Sequence, residues 1–182
     1  MQKNTLILYT YGLRGQMSLL PPLFTFLRDL RKGRSADTTL LLDLGDACAP
    51  DVWHCAATQG RSMLIVMDAM GYHAANVSGY LSDDGRTKLD GTVSMALVDG
   101  AQPFVAQNEL KIWLVPAEKT ELTSEGTLRL AQVEAGQVGV VRVSDEPKLI
   151  AHEVVTMPPK TPPDATIAGV VDFVLGEAKY YG

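Results

Sequence analysis

Three short loops and one compact cluster hold the residues of this chain that could do chemistry. The loops are Tyr11-Gly12-Leu13-Arg14-Gly15, Gly45-Asp46 and Ser78-Gly79-Tyr80-Leu81. Arg14 carries a planar guanidinium fork that suits phosphate or carboxylate. Gly12 and Gly15 on either side leave backbone N–H groups that could help hold an anion. The same Arg14 could instead form an ion pair with Asp46. Asp46 also has a structural use, because an Asp after Gly at a strand end caps the next turn.

The cluster is Cys48, Asp51, His54 and Cys55. Zinc sites usually show closely paired cysteines, and this Cys-x6-Cys spacing lacks them. His54 and Cys55 are sequence neighbours whose side chains tend to point apart. The reading is therefore free structural cysteines with a surface histidine. His73 reads as structural or surface, and Met63, Met67 and Met70 as core at helical spacing. Trp53 and Trp113 are too isolated for a stacking platform. The chain has no Walker loop, no Gly-x-Gly-x-x-Gly, no Gly-x-Ser-x-Gly elbow and no paired-carboxylate signature.

The elements that must position these loops follow from the apolar pattern. Thr5–Thr10 is a continuous apolar run closed by glycines, and so is Thr38–Leu44; both read as buried strands. Ser18 as N-cap and Pro21–Pro22 in the first turn open a helix carrying Leu23, Phe26, Leu27 and Leu30 to Gly33. A second helix spans Gln59–Met70, and Tyr72–Val77 is a third strand. This alternation implies parallel pairing, with ligands gathered at the carboxyl ends of the strands. Those ends are the three loops above. LSDDGRTKLDG reads as a polar turn region. Strands follow at Val93–Val98, Leu110–Val115, Thr127–Val133 and Gln137–Val143, the last two as a hairpin turning at Glu134–Gly136. His152–Thr156 is a last candidate strand, and Asp164 or Thr166 caps a final helix to about Tyr180.

The chain has 182 residues, 46% of them hydrophobic, with net charge −5. Length points to one domain over 1–182. The acidic balance argues against a nucleic-acid partner. No apolar stretch reaches the roughly 18 residues of a membrane span, and the first residues lack the pattern of a signal peptide. Two cysteines make no disulfide framework, so reduced thiols and a cytoplasmic location are expected.

The loops and their order resemble the calcineurin-like metallophosphatases, most closely the 5′-nucleotidase and UDP-sugar hydrolase branch. That branch opens on Asn-Asp-x-His-Gly, then Gly-Asp, then Gly-Asn-His-Glu, each at a strand end. The resemblance implies an α/β fold with a metallophosphatase-like sheet and flanking helices, truncated relative to the family. A parallel β-α-β-α-β part would come first, then mostly antiparallel strands and a C-terminal helix. It also places the family's metal positions at Gly12, Arg14, Asp46, Gly79 and Tyr80, with Leu81 in place of the family's Glu. Two-metal chemistry needs several Asp, His and Asn ligands around cations about 3.5–4 Å apart. Only Asp46 offers one here, so no metal cofactor is expected.

Three functional expectations follow. The first is a degenerate, non-catalytic binding or interaction module, with an anion near Gly12, Arg14 and Gly15. The second is a phosphate-ester hydrolase with a rebuilt site using Asp46 with His54, Cys48 or Tyr80. The third is a structural subunit that dimerises or completes its fold with a partner chain.

Overall fold

The computed structural model describes residues 4–144, 146 and 148–180. Strand β1 (Asn4–Thr10) lies at the centre because it is apolar on both faces. Leu6 and Leu8 face a helix-side core, and Ile7 and Tyr9 face a second core on the other side. Period-two alternation assigns these faces. β2 (Thr38–Asp43), β3 (Ala74–Asn76) and β4 (Ala96–Val98) pair in parallel beyond it. On its other side β9 (Gln137–Ser144) and β10 (Leu149–Thr156) run antiparallel. The resulting order is β10-β9-β1-β2-β3-β4.

A smaller sheet of β5 (Phe104–Val105), β6 (Lys111–Ala117), β8 (Thr127–Ala131) and β7 (Glu121–Leu122), in that order, packs on the side opposite the helices. Ile112, Leu114, Leu128 and Leu130 fill the space between the two sheets. α1 (Leu20–Lys32) and α3 (Arg61–Ala69) cover the other face, joined there by α5 (Ala165–Ala178). α5 buries Ile167, Val171 and Val174 in the same core as Val138 and Val140 of β9. Asp164 caps it, its carboxylate accepting from the Thr166 and Ile167 N–H groups. Among the described residues no helix is long and apolar enough to cross a membrane.

The first three strands and the helices between them lie where the apolar pattern put them. The expected hairpin does not form. Its turn exists, with Gln137 N donating to Glu134 O, but it carries the chain from one sheet to the other. β9 is apolar on both faces, so it fits beside the central strand and not beside the half-exposed β8. The polar segment after Leu81 is also helical: α4 (Asp83–Leu89) is capped by the Ser82 hydroxyl accepting from Gly85 N at 2.9 Å. Its acidic residues sit in the first turn and its basic ones in the last, which suits the helix dipole. The first helix opens with a 3₁₀ turn (Met17–Leu19), and no side chain caps it, Ser18 included. A short helix, α2 (Trp53–Ala57), lies inside the cysteine cluster.

The cysteines correct a further expectation. Cys48 and Cys55 form a disulfide, so reduced thiols no longer support a reducing compartment. The sheet ends are short or irregular. β10 carries a register shift between Leu149 and Ala151, exposes Ile150 and Val154, and pairs Glu153 with Arg34 at 2.6 Å.

Gly139 lies opposite Tyr9 in the β1–β9 pair, and the phenol ring covers it. A Cβ at 139 would meet the ring at 2.0 Å. Gly139→Ala is therefore expected to destabilise the fold by about 1–3 kcal/mol through overpacking. Urea unfolding of the two proteins checks this.

Candidate functional site

The loops at the carboxyl ends of β1, β2 and β3 come together as the strand order requires. Tyr11, Gly45, Asp46, Ser78, Gly79 and Tyr80, with Pro116 from the second sheet, line a cleft of about 410 Å³. The parallel pairing of β1 and β2 continues into their loops. Leu44 N donates to Thr10 O, Gly12 N to Gly45 O, Arg14 N to Asp46 O and Gly15 N to Ala47 O, at 2.7–3.0 Å. Such a ladder outside regular strands bends the chain. Arg14 (φ 47°) and Asp46 (φ 54°) both adopt the left-handed conformation that side chains usually avoid.

Side by side in these loops, Arg14 and Asp46 form an ion pair, Nη1 to Oδ2 at 3.0 Å. The pair is exposed, so it contributes little stability. The backbone donors expected to help hold an anion at Gly12, Arg14 and Gly15 already serve the second loop. Gly15 also faces inward, where a Cβ would meet Val52 and Cys55 Sγ. Gly12 faces open space, and the Asp46 bond engages Nη1 of the Arg14 fork, leaving its other N–H groups to point elsewhere.

His54 does not join the cleft. It is buried behind the first loop, with Nε2 on Gly15 O at 3.0 Å and Nδ1 on Ser62 Oγ at 2.8 Å. The surface histidine expected from the sequence is thus a core residue. A carbonyl accepts only, so Nε2 carries the proton. Burial holds the ring below its ordinary pKa, and a neutral ring then takes the Ser62 hydroxyl proton at Nδ1. Cys48 is consumed in the disulfide. Of the residues considered for a rebuilt hydrolytic site, Asp46, Tyr80 and Cys48 line the cleft, Cys48 as half of the disulfide, and His54 does not. Among the described residues no group of three or more His, Cys, Asp or Glu could hold a metal ion. His73 lies just before β3, accepting from Leu41 N through Nδ1 at 3.1 Å.

Two residues beneath the cleft were not singled out by sequence. Asn76 ends β3, and its Nδ2 donates to Leu44 O and Leu114 O while Oδ1 accepts from Ser78 N and Oγ. It ties both sheets and the third loop together. An Asn at a strand end two residues before Ser was the available signal. Asp43 ends β2 and is fully buried. It accepts from the Thr10 hydroxyl and from Gly45 N, each at 3.0 Å, and Thr10 Oγ1 meets Tyr72 OH at 2.9 Å. Burial pushes the Asp43 carboxyl up to about 8, against the pull of these two hydrogen bonds, and Asp46 adds to the rise. The Tyr80 hydroxyl is buried without a partner, and burial, then Asp43 and Asp46, hold its proton well above the ordinary range.

The raised Asp43 pKa fixes a pH dependence. Between the ordinary carboxylate range and about 8 the folded protein keeps a proton that the unfolded chain releases. Stability from this group is complete in acid, falls as pH rises through that window and levels off above it. Asp43→Asn is expected to flatten this slope in urea midpoints taken from pH 4 to 9. An unchanged slope would assign it to other groups.

No protein-family model matches the sequence, and no curated protein matches it. A solved structure does. The crystal structure of the calcineurin-like phosphoesterase YfkN from Bacillus subtilis superposes with a TM-score of 0.64. The match spans 100% of this chain and 99% of that chain at 11% identity. Identity at that level speaks for architecture alone, and on that ground the chain has the calcineurin-like phosphoesterase fold.

Proposed function

We propose that this chain is a degenerate relative of the calcineurin-like phosphoesterases, of the 5′-nucleotidase branch, that binds a ligand at its carboxyl-edge cleft and does not hydrolyse phosphate esters. The observation that carries this reading is the Arg14–Asp46 ion pair. By the resemblance both residues stand at metal positions of the family. A guanidinium there repels a cation and occupies the one carboxylate offered to it. Gly12 and Gly79 have no side chain to coordinate, and the Tyr80 hydroxyl is buried. The donor set does not fit a two-metal centre.

The ligand best suited to the cleft is a small anion. It would sit at the rim, outside the residues that line the cleft itself, and meet the edge of the Arg14 fork turned away from Asp46, with Gly12 leaving room for its approach. This contact replaces the nest of backbone donors, because those donors belong to the loop ladder.

Elemental analysis and a phosphodiester and nucleotide turnover screen on one untagged sample test the reading. Sub-stoichiometric Mn, Fe and Zn with no turnover are expected; metal near one equivalent with turnover would overturn it. For the anion, Arg14→Ala is expected to change stability by less than about 1 kcal/mol, since the ion pair is exposed. The same variant should abolish phosphate binding measured by calorimetry. Equal binding by both proteins would remove Arg14 from the site.

A further inference from the structure

The Cys48–Cys55 bridge lies against the machinery that holds the first two loops. Cys48 borders the cleft, and both cysteines border a neighbouring pocket of about 240 Å³ together with Gln59 and Tyr80. Cys48 follows Asp46 by two residues, and Cys55 lies on α2. The Cys55 sulfur also packs against Gly15 of the first loop, where a Cβ would come within 3.1 Å of it. The bridge therefore joins the second loop to the helix on which the first loop rests.

A reduced form would find its polar partner in place. Ser62 Oγ is 3.7 Å from Cys48 Sγ and 4.0 Å from Cys55 Sγ. With His54 protonated at Nε2, the Ser62 hydroxyl donates to Nδ1 at 2.8 Å in preference to Cys55 Sγ at 4.0 Å, which leaves oxygen lone pairs for a thiol S–H. His54 in turn holds Gly15 O. The chain sulfur–Ser62–His54–Gly15 carries a change at the sulfurs into the first loop.

We propose that Cys48–Cys55, only 2% and 3% exposed behind this pocket, is a reversible thiol–disulfide couple that a small dithiol reaches when the pocket opens, and whose state sets the order of the two cleft loops. The step balances as an exchange. A dithiol thiolate attacks Cys48 Sγ and displaces Cys55 as thiolate, leaving a mixed disulfide. The second thiol of the reagent attacks its own sulfur in that bond and releases Cys48. Both cysteines take up protons, and the dithiol leaves oxidised by two electrons. With the bridge open, the second loop loses its tie to α2. The inference holds whether or not an anion binds at Arg14.

The test uses the full chain, dithiothreitol as the reductant, alkylation to count free thiols and amide hydrogen exchange read residue by residue. Under native conditions both cysteines should become alkylated. Exchange at the Arg14 and Gly15 amides should rise about tenfold or more, while Leu6–Tyr9 stay protected. Reoxidation should restore the slow exchange, and Cys55→Ser should show the fast exchange without reductant. Three results overturn the proposal. One is a bridge that reduces only after unfolding. Another is full reduction with Arg14 and Gly15 unchanged. The third is loss of protection along Leu6–Tyr9 as well, which would make the bridge a staple of the whole fold.

Discussion

The site depends on one extended ladder, the parallel pairing of β1 and β2 carried past the ends of both strands. Four further backbone bonds, donated by the N–H groups of Leu44, Gly12, Arg14 and Gly15, lock two loops that would otherwise be independent. Buried backbone groups must find partners, and these find one another. The bond pattern forces the left-handed turns at Arg14 and Asp46 and brings their side chains within 3.0 Å. It also removes from solvent the N–H groups that an anion nest would need. The character of the cleft follows from this backbone pairing before any side chain is considered.

Beneath that ladder the polar groups are graded by burial. At the rim, Arg14 and Asp46 remain wet, and their contact trades cheaply for hydration by water. One layer down, Asn76 satisfies both ends of its amide on β6, the loop after β2 and the third loop. At the floor, Asp43 is dry and favours its neutral form, because desolvation outweighs two hydrogen bonds to the anion. The same residue type thus has opposite roles three residues apart. Asp46 is the exposed partner of a cation, and Asp43 is an internal hydrogen-bonding group.

Much of the architecture was legible in the sequence because an apolar run of strand length, closed by glycine, fits little besides a buried strand. Thr5–Thr10 and Thr38–Leu44 are of that kind, and the Leu23–Leu30 stripe is as plain at helical spacing. What stayed hidden did so for physical reasons. The β8–β9 turn looks like a hairpin because turn chemistry is local, whereas the sheet a strand joins depends on how many of its faces are buried. α4 has one buried leucine, so its helix rests on capping and charge order, which apolar periodicity does not register. The Arg14–Asp46 pair was legible as one of two alternatives, since both residues close adjacent strands. The disulfide and the burial of His54 were not. Seven residues of separation say little about distance until α2 folds the segment back on itself.

The open sheet has two ends, and each is poorly suited to growth. β4 is only three residues long, too short to template another chain. β10 is longer and exposes Ile150 and Val154, but its register breaks near Leu149 and a carboxylate stands at Glu153. An irregular, charged edge mismatches the flat repeat of a fibril. The sheet is in effect chain-terminated at both sides, so concentrated protein faces a built-in barrier to edge-to-edge polymerisation, although apolar side chains lie open on its last strand.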